Sequence, residues 1–373
     1  MSVRCRLIVC AVCFLGSAAW SVDNLSAADQ GRLLFLGVAY DEGPPKGFDS
    51  GHFNWAPDNV SRILQHQSDT LYRNIEVENL KGDQATHGAV IRALRQLKRK
   101  AKADDLFFLY WGTHGGTGPD GWSANLPGGR AMYGSELKQE LGEFPCPVVC
   151  LISTCGSGGF AGARADQVEV PPNVTAFCAC RRQQSTANEM DRAFCEAIAG
   201  FADADGNGEV TIGETLQYVP RRYRQMFRGG EPTDEDLLPV LAASEGTPRE
   251  RALSMCGGDS LAAVAQNGVW YGCRILEQTP EGKKVRFFGF DATTTNAGYS
   301  MPDAVVADDV IDLPGGDPTI EVEWEGAWYP ARLLEKKRNQ WKIHYIGYPD
   351  SDDETVPRSR VRFTFLPPPE KTP

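Results

Sequence analysis

The sequence predicts an α/β protein, a mostly parallel sheet with helices on both faces, followed by two small C-terminal β-barrels. Three observations predict it. Short apolar runs alternate with amphipathic stretches over residues 31–250, the pattern of parallel strands joined by crossover helices. Two of those runs end in a chemically reactive side chain followed by glycine: Val148 to Ile152 leads to Ser153-Thr154-Cys155-Gly156-Ser157-Gly158-Gly159, and Asp105 to Trp111 leads to Gly112-Thr113-His114-Gly115-Gly116. After residue 251 the composition changes to short alternating strands in two copies.

Taken in order, the chain opens with Arg4 and Arg6 before an apolar run, Leu7 to Leu15, and small residues Gly16-Ser17-Ala18-Ala19. That is the pattern of a secretory signal peptide within residues 1–28, with cleavage near Ala19 or Ala27. Removal of Met1 to Ala19 takes Arg4 and Arg6 away and moves the net charge from -11 to -13. An exported protein with no membrane span in its mature part is expected, and so acidic a chain is not expected to bind nucleic acid. Eight cysteines remain, several inside apolar runs, and they do not form a disulfide framework for so long a chain.

Leu33 to Ala39 reads as the first strand, Ala56 to Gln65 as the first helix, and Asn74 to Val77 as the next strand. Thr86 caps a helix over Gly88 to Ala101, apolar at Val90, Leu94 and Leu97 and basic on its other face. His87, in a second Thr-His-Gly, opens that helix and is set aside as a decoy. Gly118 to Trp122 reads as a turn-rich loop, Tyr133 to Leu141 as a helix, and Asn173 to Cys180 as a strand.

Functional groups collect outside the carboxyl ends of strands in such sheets. A thiol there becomes a strong nucleophile as the thiolate, and a nearby imidazole favours that state. Small residues supply unhindered N–H donors for an oxyanion. The pair Thr113-His114-Gly115 and Ser153-Thr154-Cys155-Gly156 resembles the signature of the caspase-like cysteine peptidases, the clan of caspases, metacaspases and legumains, over residues 31–250. The resemblance implies a caspase-like three-layer sandwich. It also implies Cys155 as nucleophile, His114 as acid and base, and the N–H groups of Gly115 and Cys155 as the oxyanion hole. In metacaspases and legumains an acidic residue two before the cysteine helps bind basic or polar side chains. Ser153 stands there in this chain, which leaves the preferred substrate residue open.

Asp203-Ala204-Asp205-Gly206-Asn207-Gly208-Glu209-Val210-Thr211-Ile212-Gly213-Glu214 fits the twelve-residue EF-hand loop. Asp203, Asp205, Asn207, Thr211 and Glu214 would offer side-chain oxygens, and Glu209 its carbonyl. Ca²⁺ is the one cofactor expected, with no organic cofactor; an acidic turn capping a helix is the alternative.

In the C-terminal part Val264 to Glu277 matches Val322 to Glu335, and Val285 to Phe290 matches Ile343 to Tyr348, at an offset of 58. The copies occupy 261–306 and 318–365, joined by an acidic linker from Asp308 to Asp317. The second copy resembles Tudor and Agenet barrels in Val322 to Arg332, His344 to Tyr348 and Asp352 to Pro357. That resemblance implies an aromatic cage for a cationic side chain, with Trp324, Trp328, Tyr345 and Tyr348 as candidates. Gln266 stands where Trp324 would be in the first copy, and Trp328 is the candidate expected to fill the core.

The expected function is an exported cysteine endopeptidase acting on protein or peptide substrates, with a C-terminal protein-binding module. The alternatives are a non-catalytic scaffold using the repeats, and transpeptidation at the same dyad.

Overall fold

The computed structural model describes residues 31–41, 53, 55–66, 71–162, 169–182, 184, 189–205, 207–226, 240–244, 247–255, 261–266, 269–290, 303–306, 320–325, 327–337, 340–345 and 348–363. The expected signal peptide and the acidic linker lie outside the described residues. Among the described residues no helix is long and apolar enough to cross a membrane.

The first part runs β1 (Leu33–Tyr40), α1 (Ala56–Gln65), β2 (Ile75–Lys81), α2 (His87–Lys100), β3 (Leu106–Thr113), β4 (Gly115–Gly118), β5 (Gly121–Ala124), β6 (Met132–Tyr133), α3 (Gly134–Gly142) and β7 (Val148–Ser153). It continues through α4 (Gly158–Ala161), β8 (Val174–Cys178), α5 (Glu189–Glu196), β9 (Glu209–Thr211), α6 (Ile212–Met226), β10 (Val240–Ala243) and β11 (Ala252–Met255). Six strands form one sheet in the order β10-β8-β7-β3-β1-β2. All neighbours are parallel except β10, which runs antiparallel at the edge.

Strands β3, β7 and β8 are buried at every position because helices cover both faces of the sheet. Phe35, Phe108, Val149 and Phe177 point to one apolar cluster with Val60 of α1 and Phe194 of α5. Leu36, Leu109 and Cys150, one step along, point to the other with Leu94 of α2 and Leu137 of α3. Burying each such Leu or Phe contributes about 1.5–3 kcal/mol, and the alternation fixes the register of the whole sheet.

Thr86 caps α2, accepting from Ala89 N–H at 3.2 Å. Its basic face is partnered: Arg95 and Lys98 pair with Glu140 of α3, and Lys98 also with Glu143. Gly118 to Trp122 does not form a loose loop. It turns a hairpin, β4 against β5, to which β6 adds a third strand.

The remaining strands are β12 (Leu261–Gln266), β13 (Val269–Thr279), β14 (Gly282–Phe287), β15 (Ala304–Val306), β16 (Ile320–Trp324), β17 (Ala327–Lys337), β18 (Gln340–Tyr345), β19 (Glu354–Pro357) and β20 (Val361–Phe363). They form a four-stranded sheet, β12-β13-β14-β15, and a five-stranded sheet, β19-β18-β17-β16-β20. Both are antiparallel, and both carry a register shift at matching places, between Ile275 and Glu277 and between Leu333 and Glu335. The repeat in the sequence is thus a repeat in backbone geometry. Two antiparallel sheets stand where the two barrels are expected, and among the described residues the end strands of each do not pair with one another.

The first repeat is docked on the α/β part. Leu261, Ala263 and Phe288 belong to the apolar cluster of α1 and α5. Glu196, at the end of α5, accepts from Gly272 N–H of β13 at 2.7 Å and from Arg222 of α6 at 3.0 Å, with both charged side chains buried.

Candidate active site

Two strand registers build the site. β1 and β3 pair Tyr40 with Thr113, so the next residues at the carboxyl rim are Asp41 and His114. β3 and β7 pair Gly112 with Ser153, so two steps further stand His114 and Cys155. A carboxylate, an imidazole and a thiol therefore leave three adjacent parallel strands in one row.

His114 Nε2 lies 3.2 Å from Asp41 Oδ1; the Asp41 side chain is 9% exposed and that of His114 51%. An ionised carboxylate only accepts, so Nε2 carries the hydrogen and Nδ1 is left as the basic nitrogen. Phe53 meets the imidazole edge-on, with ring centres 5.3 Å apart. Asp41 was not among the residues singled out from the sequence. Its signal was a polar residue just past the apolar run of β1, the same pattern that marks His114 and Cys155.

Cys155 differs from the other described cysteines in exposure. Cys146, Cys150, Cys178, Cys180, Cys195 and Cys273 are buried, whereas Cys155 is half-buried. Burial pushes the Cys146 thiol up to about 12 and raises Cys150, Cys178 and Cys195 further. Those thiols keep their protons and act as small apolar filler.

The β4–β5 hairpin holds the turn after Cys155. Thr117 Oγ1 donates to Gly156 O at 2.7 Å, and Trp122 Nε1 donates to Thr154 Oγ1 at 2.8 Å. Gly156 has φ +64, and a Cβ there would stand 2.9 Å from both Thr117 N and Arg182 O, so no other residue fits without a shift. Asn125 N–H donates to His114 O at 2.8 Å. Bonded and non-bonded pairs alternate along an antiparallel ladder, so Gly115, opposite Ala124, directs its N–H away from β5.

Ser153, the position without an acid in the sequence, donates through Oγ to Asp191 Oδ2 at 2.7 Å. Burial pushes the Asp191 carboxyl up to about 6, against the opposing pull of the Ser153 hydroxyl. His87 lies apart from this rim, buried at the start of α2 with Nε2 2.9 Å from Glu136 Oε2.

In the acidic loop, carboxylate oxygens of Asp203, Asp205 and Glu214 come within 4.8 Å of one another. Asn207 and Thr211 are engaged inside the loop: Asn207 Oδ1 accepts from Glu209 N–H at 2.7 Å, and Thr211 Oγ1 donates to Glu214 at 2.9 Å. Glu209 to Thr211 is strand β9, which pairs with β11. The converging hard oxygens suit Ca²⁺.

In the second repeat Trp324, Tyr345 and Tyr348 come together, joined by Tyr329. Ring centres are 5.6 Å apart for Trp324 and Tyr329, 6.1 Å for Trp324 and Tyr345, and 6.2 Å for Tyr345 and Tyr348. Trp324 and Tyr348 are exposed. Trp328 stands elsewhere: it pairs with Glu323, one step from Trp324, and so lies on the opposite face of the hairpin. It is half-buried and does not fill the core as expected.

No family model matches the chain, and no curated protein matches it. Among solved structures, the initiator caspase Dronc of Drosophila is similar at 13% identity and a TM-score of 0.42, covering 61% of this chain and 83% of that one. Caspase-1 of Spodoptera frugiperda is similar at 15% identity and a TM-score of 0.42, covering 64% and 94%. A protein of Geobacter sulfurreducens is similar at 15% identity and a TM-score of 0.41, covering 61% and 99%. Likeness at that level carries no argument about activity, and the functional reading rests on this chain's own geometry.

Proposed function

We propose that the protein is a cysteine endopeptidase acting through Cys155 and His114, with Asp41 orienting the imidazole. The observation that carries this is the row of Asp41, His114 and Cys155 on adjacent strand ends, with Nε2 of His114 3.2 Å from the Asp41 carboxylate. Nδ1 takes the thiol proton, and the thiolate attacks the scissile carbonyl. The N–H groups of Gly115 and Cys155 stabilise the oxyanion. His114 then protonates the departing amine, and a water activated by the same imidazole releases the acyl group from sulfur.

Asp203, Asp205 and Glu214 would hold a Ca²⁺ ion between the ends of α5 and α6, where it would brace the two helices and supply no step of the reaction. The aromatic cluster of the second repeat is the binding module: rings that crowd an exposed surface suit a cationic side chain of a protein ligand. The chain is read as exported, from its first 28 residues.

The test is cleavage of a diverse peptide mixture, with and without Ca²⁺, by the wild type, Cys155→Ala and His114→Ala. Both variants should lose cleavage by at least about 10³-fold. Cleavage persisting in Cys155→Ala would remove the proposed nucleophile. Calorimetric titration with Ca²⁺ should give one site, lost in Glu214→Gln.

A further inference from the structure

A small cleft lies between α1 and the first repeat, remote in sequence from the rim residues. Asn59, Arg62 and His66 line it from α1, and Arg274, Arg286 and Phe288 from β13, β14 and the turn after it. Three guanidinium groups facing one cleft are unusual in a chain whose net charge is -11. Like charges so gathered repel unless something negative sits among them.

Among the described residues only part of that charge is answered. Arg286 is paired with Asp303, at 2.8 and 2.6 Å. Arg62 donates to the neutral amide of Asn59 at 3.1 Å. Arg274 lies 6.0 Å from the Phe288 ring, and its Nε is buried with no hydrogen-bond acceptor. Burial lowers the Arg274 guanidinium with no carboxylate to offset it. His66 is likewise lowered, first by burial and then by Arg274, Arg62 and Arg286, so it contributes no charge at neutral pH. Among the described residues, three guanidiniums against the carboxylate of Asp303 leave a net charge of +2.

Packing alone accounts poorly for this. A half-buried arginine can lay its stem on an aromatic ring and send its head to water, but here the Nε is turned inward. A buried donor left unsatisfied costs about 1–3 kcal/mol, and native proteins satisfy nearly all of them. An oxyanion in the cleft would accept from Arg274 and balance the charge. A dianion matches +2 better than a carboxylate does, and guanidinium forks suit the oxygens of a phosphate.

We infer that this cleft is a binding site for a dianionic oxyanion, a phosphate or sulfate group, held by Arg62, Arg274 and Arg286 across the seam between α1 and the first repeat. The bound anion ties the repeat to the α/β part, because it takes hydrogen bonds from both sides. The site is independent of the peptidase reading, since none of its residues is at the rim.

The experiment is calorimetric titration of the full chain with inorganic phosphate, sulfate and acetate at low ionic strength. Phosphate and sulfate should bind at one saturable site, with acetate weaker. Arg274→Ala should weaken phosphate about tenfold or more, the loss of one charge-assisted bond. Arg62→Gln, on a helix surface and harmless to the fold, should also weaken it. Arg99→Ala, removing the same charge from an exposed place on α2, should not. Phosphate should also raise the pKa of the His66 imidazole, read by NMR, in the wild type and not in Arg274→Ala. A phosphoserine peptide run against free phosphate tells the sources apart: tighter binding assigns an anion carried on a chain, equal or weaker binding a free one. Absence of saturable binding, or binding unchanged in both Arg274→Ala and Arg62→Gln, overturns the site.

Discussion

The two repeats share a sequence pattern, a strand order and a register shift, yet they treat part of their aromatic set differently. In the first, Tyr271, Phe287 and Phe290 are buried, and the guanidinium of Arg192 from α5 stands 4.1 Å from the Phe290 ring. In the second, the matching Tyr345 is buried as well, but Tyr329 is half-buried and Tyr348 exposed, and with exposed Trp324 they border an accessible surface. The first cluster already holds a cation supplied by its own chain. The second presents the same kind of surface outward. One scaffold has thus been used once as a structural dock and once as a displayed face, and the difference lies in what packs against it.

If docking holds the first repeat, the buried charges at its seam carry the largest effect. Glu196→Ala leaves Arg222 without its carboxylate and Gly272 N–H without its acceptor. It should lower stability by about 3–5 kcal/mol in urea denaturation, the cost of breaking a buried pair by removing one partner. A loss under about 0.5 kcal/mol, as for an ordinary surface change, would break the comparison.

Gly289→Ala should cost about 2 kcal/mol or more on the same measurement. Gly289 has φ +71, and a Cβ there would stand 2.5 Å from the Arg192 backbone.

Asp191, beside Arg192 on α5, sharpens the comparison through pH. Its carboxyl is raised by burial from 3.8 to about 6, so the folded protein holds that proton more tightly than the unfolded chain does. Stability from this group therefore falls as pH rises from about 4 to about 6, and is level above. Asp191→Asn should erase that slope in denaturation midpoints taken across the window.

The smallest effect on stability is expected in the second repeat. Trp324→Ala removes an exposed ring and should change stability by less than about 0.5 kcal/mol. It should weaken binding of an arginine- or lysine-rich peptide about tenfold. A large loss of stability with binding intact would make the cluster a core, as it is in the first repeat.

The parallel sheet and its two reactive rim residues were legible in the sequence, because a strand covered on both faces leaves an unbroken apolar run. Asp41 was not, since its role depends on β1 lying beside β3, and strand order is set by crossovers that local periodicity does not encode. Strand β10 was also missed, a four-residue antiparallel edge with no alternation of its own. The exchange of Trp328 for Tyr329 has a local cause. A tight turn at Glu325, φ 51, pairs Trp324 with Ala327 and so sends Trp328 to the other face. Counting two residues for that turn would have predicted it. The acidic loop was legible as a ligand pattern, but its partner strand β11, 41 residues beyond Thr211, was not.

The central claim, that sulfur 155 and ring 114 work as a unit, is most directly tested by covalent trapping. The protein is treated with a peptidyl chloromethyl ketone, and the adduct is located by mass spectrometry in the wild type, His114→Ala and Asp41→Asn. One adduct on Cys155, formed much more slowly in His114→Ala and at an intermediate rate in Asp41→Asn, is the predicted result. An adduct on another cysteine, or a Cys155 adduct forming equally fast without His114, would contradict it.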